Sequence, residues 1–251
     1  MGNLKKWVAT PTVKMAFSLR SAGYDYMSAL ADIIDNCFDA DATKIRIWLD
    51  ASKDESAIEQ INISDNGHGM SLSDLQRALT YGSDSAYGQY SLGCYGLGLK
   101  TASTSIGKCL TVYTKTESGK LLVGILDLDR FEEEGEYVVE YTTKPTSAQQ
   151  AFFAAHIGDS AKASGTLVTI SKIDKLDIKP KSFYQTLKAE TNLPRIFREF
   201  LSDPEIEMYV NTTRIEGYIV PPESIVQNWT KVRGTNVEFR VLHDRSRGAS
   251  G

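Results

Sequence analysis

Cysteine is scarce in this chain, and what there is does not pair. Cys37, Cys94 and Cys109 are the three among 251 residues, an odd number without C-x-x-C spacing, so neither a disulfide framework nor a zinc site is indicated. Reduced, mostly buried thiols in a cytosolic protein are expected. A basic excess is missing too: 28 Lys and Arg stand against 32 Asp and Glu, a net charge of -4. That denies this segment the positive stripe of tight nucleic-acid binding, and any DNA contact would come from elsewhere. No apolar run approaches the ~18 residues of a spanning helix. The opening M-G-N-L-K-K-W lacks the apolar core of a signal peptide, and Lys6 stands where myristoylation needs Ser or Thr, so no membrane association is expected. Histidine is rare. His156 and His243 have neither the carboxylate nor the proline context of a phosphoacceptor, and no Ser-His-Asp or Cys-His pairing stands out.

With 41% hydrophobic and 24% charged residues, the composition is that of a soluble globular protein, and the length suits one large domain or two smaller ones. The stretch 29–43, A-L-A-D-I-I-D-N-C-F-D-A-D-A-T, organises the rest. At about 100° per residue, Met27, Leu30, Ile34, Cys37 and Phe38 gather on one side of a helix, while Asp32, Asn36 and Asp39 fall in a narrow arc opposite. A solvated face would more cheaply carry Glu, Lys or Gln, because Asp and Asn each cost up to about 0.7 kcal/mol relative to Ala in a helix interior. A local rule broken inside a strong helix marks a functional face.

In chain order, residues 1–17 form a weakly patterned arm in which Pro11 discourages one continuous helix. Residues 44–50 alternate as a strand, and Ile58, Ile61 and Ile63 mark a second that ends at Asp65 in I-S-D-N-G-H-G-M. A strand running into D-x-G-x-G predicts a sharp turn with His68 exposed in it. Ser71, with Asp74 three residues on, caps a short helix whose apolar side is Leu72, Leu75 and Leu79. The run T-Y-G-S-D-S-A-Y-G-Q-Y-S-L at 80–92 has no period and reads as a mobile loop, with Tyr81, Tyr87 and Tyr90 as packing groups. It leads into G-C-Y-G-L-G-L-K-T-A-S, where Gly93, Gly96 and Gly98 precede a helix to about Ile106 and bring N–H groups toward an anion. Strands are expected at 109–114, 121–128 and 137–142, a helix at 149–157, and a strand at 165–173 entered through Gly-Thr. Pro194 divides 182–201 into two helices near Asn192. A hairpin turns at 211–213, and the chain from Pro221 is hydrophilic.

Together these segments resemble the GHKL ATPases, the superfamily of gyrase B, ninety-kilodalton heat-shock protein, histidine kinase and MutL. D-I-I-D-N-C-F-D-A looks like its N box and D-N-G-H-G-M like its adenine-binding D-x-G-x-G. G-C-Y-G-L-G-L-K looks like its lid-and-phosphate glycines and G-T-L-V-T-I like its closing strand, in matching order. The resemblance spans roughly residues 18–220 and is nearest to prokaryotic Microrchidia-like (MORC-like) and Hsp90-like ATPases. It implies an α/β chain with the Bergerat fold: a two-layer α+β sandwich whose mixed, mostly antiparallel sheet carries helices on one face. An arm at 1–17 would precede this domain and a tail at 221–251 would follow it. ATP and Mg²⁺ are the implied cofactors. By this resemblance Asn36 matches the metal ligand, Asp65 the carboxylate that accepts from the adenine amino group, and Gly67, Gly69 and Met70 the turn beside the base. Gly93, Gly96, Leu97, Gly98 and Leu99 match the phosphate-facing backbone, with Lys100 as a nearby charge and Thr166 as a hydroxyl on the adenine side. Asp32 stands where many relatives carry Glu as general base, one methylene shorter, and Asp35 and Asp39 would support it.

The implied function is a Mg²⁺-dependent ATP-binding and hydrolysing module that drives conformational change or dimerisation in a larger assembly. Its expected partners are a second copy, meeting through residues 1–17, and a client protein or DNA reached by other domains. Turnover should be slow until a cation arrives from another segment or subunit, with Lys100, Lys172 and Lys175 as internal candidates. The alternative is a non-hydrolytic ATP-sensing clamp, since Asp32 reaches less far than Glu. The chain is expected to be the N-terminal piece of a longer cytoplasmic protein.

Overall fold

Alternation along the strands sorts a buried face from an open one. In the computed structural model, which describes residues 12–21, 24–81, 98–158 and 163–218, β1 (Lys44–Ala51) buries Ile45 and Ile47 completely, and β2 (Ile58–Asp65) buries Ile61 and Ile63. The remaining strands are β3 (Gly107–Lys115), β4 (Leu122–Asp127), β5 (Val139–Thr142), β6 (Gly165–Ile173), β7 (Glu207–Val210) and β8 (Thr213–Ile215). Among the described residues these form one sheet in the order β5-β4-β3-β6-β2-β1-β7-β8. Every pairing is antiparallel except that of β1 with β7. The β7–β8 hairpin turns at Asn211, whose φ of 52° suits Asn in the left-handed region.

Helices α1 (Val13–Arg20), α2 (Tyr26–Asp39), α3 (Leu72–Leu79), α4 (Gly98–Ile106), α5 (Leu128–Glu134), α7 (Pro180–Lys188) and α8 (Leu193–Ile196) cover the apolar face. Local chemistry sets their ends. The Asp25 carboxylate caps α2 by accepting from the amides of Met27 and Ser28 at 2.9 and 3.1 Å. Ser71 and Asp74 form the expected capping box of α3. Pro180 opens α7, and Asn192 precedes α8, where the sequence placed the break. Helix α2 then buries Ala29, Leu30, Ile33, Ile34 and Cys37; each fully buried Leu or Ile is worth about 1.5–3 kcal/mol, which fixes the helix on the sheet.

The sheet and its helical layer are those the resemblance implies, with two additions. Helix α6 (Ser147–Ile157) lies on the opposite face, where Phe153 packs with Leu121 and Leu167 beside Tyr113 and Phe152. Strand pleating explains this, since Leu167 neighbours Val168 in β6 and so points the other way. Helix α5 lies where only a strand end and acidic residues were expected: Asp127 caps it, and Leu128 and Phe131 are its whole buried side. The boundary expected after residue 17 falls inside α1, which begins just past Pro11. No described helix is long and apolar enough to cross a membrane.

Candidate functional site

At one end of the sheet, the last residue of β2 pairs with the second of β6, Asp65 with Thr166, and Thr166 pairs in turn with Thr114 of β3. Asp65 is only 5% exposed. Its Oδ1 accepts the amides of Gly67 at 2.8 Å and Thr166 at 3.3 Å, and the buried Cys37 thiol of α2, which donates to the Ile33 carbonyl at 3.5 Å, lies beside the same carboxylate. Burial pushes its protonation up to about 6 even though these donors oppose it. A carboxylate kept in so dry a place at a strand end has the chemistry to read an exocyclic amino group.

The turn after Asp65 is clamped by its own neighbours. A Cβ on Gly67 would meet the Ala40 carbonyl oxygen at 2.5 Å, and one on Gly69, whose φ is +68°, would meet that of Lys115 at 2.1 Å. The Met70 amide donates to the Thr114 hydroxyl at 2.8 Å, and that hydroxyl lies 3.1 Å from the hydroxyl of Thr166. Met70, Thr114 and Thr166 are thus brought together beside Asp65. His68 is exposed, as expected of a turn residue.

On α2 the polar arc faces away from the core. Asn36 is exposed, and its amide group donates to the Asp32 carbonyl at 2.8 Å. This uses the amide nitrogen and leaves the side-chain oxygen as the atom suited to a hard cation. Asp35 is half-buried, its protonation raised by burial first and then by the charges of Asp32 and Asp39. The Asp32 carboxylate accepts a hydrogen bond from the hydroxyl of Tyr24, whose own ionisation is pushed up to about 12, chiefly by that bond.

Helix α4 begins beside the same carboxylate, since a Cβ on Gly98 would lie 3.8 Å from Asp32 Oδ2. Its first-turn amides lack intrahelical partners and carry the positive end of the helix dipole. Leu99 packs against the main core. Lys100 points elsewhere: 1% exposed, it donates to the Ala78 carbonyl of α3 at 2.7 Å beneath the ring of Tyr81. Burial pulls its protonation down to about 8. Lys172, six residues along β6 from Thr166, is committed to Asp127 and Asp129, each at 2.8 Å. At about 3.3 Å per residue it is remote from this end of the sheet. Gly93, Gly96 and Leu97, with Tyr87, Tyr90 and Cys94, lie outside the described residues.

Sequence reasoning named Asp32, Asn36, Asp65, Met70 and Thr166 and missed Tyr24, Cys37 beside Asp65, and Thr114. Among the described residues no three His, Cys, Asp or Glu side chains group as a metal cage.

Comparison with known proteins gives the family. A family model described as histidine kinase-, DNA gyrase B-, and HSP90-like ATPase matches residues 24–162. ATPase morc-1 of Caenorhabditis elegans is 33% identical over 109 residues, which is 43% of this chain and 12% of that protein. MORC family CW-type zinc finger protein 3 of Mus musculus is 37% identical over 91 residues, 35% of this chain and 10% of the relative. ATPase MORC2 of Homo sapiens is 37% identical over 91 residues, 36% of this chain and 9% of the relative. The chain therefore spans about a tenth of the length of these curated relatives.

Proposed function

Because the chain belongs to the histidine kinase-, DNA gyrase B- and HSP90-like ATPase family, we propose that it binds Mg²⁺-ATP between α2 and the start of α4 and hydrolyses it to ADP and phosphate. The observation that carries this reading is the meeting of Asp32 with the N-terminus of α4 at Gly98, in line with the buried Asp65 of the neighbouring strand. Asp65 would accept from the adenine amino group, with Thr166, Met70, Gly67 and Gly69 forming the wall around the base. The backbone of Gly98 and Leu99, continued by Gly93, Gly96 and Leu97, would face the phosphates. Lys100 would reach them only on release from the Ala78 carbonyl.

Asn36 would hold Mg²⁺. The fit rests on the exposure of its amide, whose nitrogen is already bonded, and on charge: Asp32, Asp35 and Asp39 share α2, which has no basic residue in its last turn, so a polyphosphate approaching this face needs a cation between. When bound, Mg²⁺ neutralises phosphate charge and orients the terminal phosphoryl group. Asp32 would take a proton from water as the water oxygen bonds to the γ-phosphorus and the bridging bond to ADP breaks, the proton then leaving to solvent. Coupling of this cycle to dimerisation or to a client protein or DNA is part of the same proposal.

Calorimetry with ATP, with and without Mg²⁺, is the direct test. Asn36→Ala should remove the Mg²⁺-dependent part of the affinity, and Asp65→Asn should weaken binding at least about tenfold, the scale of a lost charge-assisted hydrogen bond. Undiminished affinity in both variants would sink the site. A second reading, an ATP-sensing clamp without turnover, is favoured by one observation: Asp32 is short and already engaged by Tyr24. Single-turnover hydrolysis by wild type and Asp32→Asn separates the two, because a clamp gives equal, negligible rates.

A further inference from the structure

Building on the ATPase reading, we infer that Tyr24 is the positioning residue of Asp32: its hydroxyl holds the short carboxylate against the start of α4, doing by a hydrogen bond what an extra methylene does in a glutamate. Three independent features meet here. Tyr24 directly precedes the N-cap Asp25, whose two backbone hydrogen bonds fix the direction in which the chain enters α2. The tyrosine hydroxyl can thereby reach a carboxylate eight residues further on. The ring is 37% exposed, which a tyrosine serving only the core would not be. The oxygen it engages, Asp32 Oδ2, is also the one that faces Gly98.

An aspartate on a helix surface swings among rotamers and spends part of its time away from any one target. Anchoring Oδ2 removes that freedom and holds the carboxylate at the helix start, where it would address a water molecule. Tyr24 touches neither phosphate nor metal in this scheme, so its loss should appear in the chemical step and not in binding. The opposite role is also testable: a hydroxyl that competed with water for Asp32 would restrain hydrolysis, and its removal would speed it.

The test uses the 251-residue chain as wild type, Tyr24→Phe, Asp32→Glu and the double variant. Each is measured by calorimetry with Mg²⁺ and a non-hydrolysable ATP analogue, and by single-turnover hydrolysis. Tyr24→Phe should keep the dissociation constant within about twofold and slow the chemical step about tenfold, the worth of one orienting hydrogen bond. Asp32→Glu should restore most of that loss in the Tyr24→Phe background, since the longer carboxylate does not depend on the tether. A fold defect would not be rescued in this way. An unchanged or faster rate in Tyr24→Phe, a loss that lies in affinity, or failure of the glutamate rescue overturns the inference. A wild-type chain that binds the analogue but never hydrolyses ATP overturns it while leaving nucleotide binding intact, and one that binds no nucleotide overturns both.

Discussion

Asp65 works against the stability of the domain that holds it. Its carboxylate titrates near 6 in the fold, against 3.8 for the free side chain. The folded state therefore holds the proton more tightly, and stability falls as pH rises from about 4 to about 6. Above that window the full cost of the buried charge is present, about 2–3 kcal/mol from a shift of this size. Asp65→Asn should accordingly stabilise the nucleotide-free chain at pH 7 by about that amount while impairing ATP binding. Thermal unfolding of both proteins at pH 7 and pH 4 checks this, and a variant advantage as large at pH 4 as at pH 7 contradicts it. Such residues are legible in sequence because they break a rule, as a carboxylate at the end of an isoleucine-rich strand does. Cys37, Thr114 and Tyr24 break none. Cys37 fits the apolar period of α2, Thr114 the alternation of β3, and Tyr24 lies just outside the helix whose face it serves, so only the tertiary arrangement brings them in.

Among the elements, α4 holds the most tension. It buries Lys100, Thr101, Ser103, Thr104 and Ser105; two of its hydroxyls fold back onto the helix, Thr104 to the Lys100 carbonyl and Ser105 to that of Ala102, each at 2.7 Å, while those of Thr101 and Ser103 are buried without a partner. Lys100 ties α4 to α3 through Ala78. Its protonation lies near 8 in the fold, below the usual 10.5, so stability rises with pH across that interval and the ammonium is a burden at pH 7. Lys100→Met should stabilise the nucleotide-free protein by about 1–2 kcal/mol at pH 7, net of the lost hydrogen bond, with the gain gone by about pH 10. Denaturant unfolding at the two pH values decides this, and a destabilised variant at pH 7 would assign the lysine to structure. Elements with strong periods or caps, such as α2, α3 and the β7–β8 hairpin, were readable from sequence. Helix α5 was not, because two buried residues leave no period, and the side of the sheet taken by α6 depends on which face of β6 lies uncovered.

At the scale of the whole molecule, the described residues connect the N-terminal arm to the candidate site. Arg20 of α1 donates to the Thr104 carbonyl of α4 at 2.7 Å and pairs with Asp174 beyond β6. Its side chain is 9% exposed, so a movement of α1 would be carried to α4 by a buried contact. The site itself is rich in carboxylate, and of the cations expected to serve it Lys100 is committed to Ala78, while Lys172 lies remote from it, paired with Asp127 and Asp129. Phosphoryl transfer gains about 10³–10⁵ in rate when an added Arg or Lys neutralises the transferring group. That cation would come from a second copy or from sequence outside the matched region, which is about a tenth of each relative. We therefore predict slow turnover at low protein concentration, with the rate per chain rising as nucleotide drives pairing through residues 1–17. Turnover should be followed across protein concentration, and mass measured across the same range with a non-hydrolysable analogue present. Deletion of residues 1–11, which lie before α1, should abolish both the rise in rate and the rise in mass while leaving nucleotide affinity within about threefold, under 1 kcal/mol. A chain that stays monomeric at every concentration, with a rate per chain that never changes, would make the module self-sufficient and this account of its cation wrong.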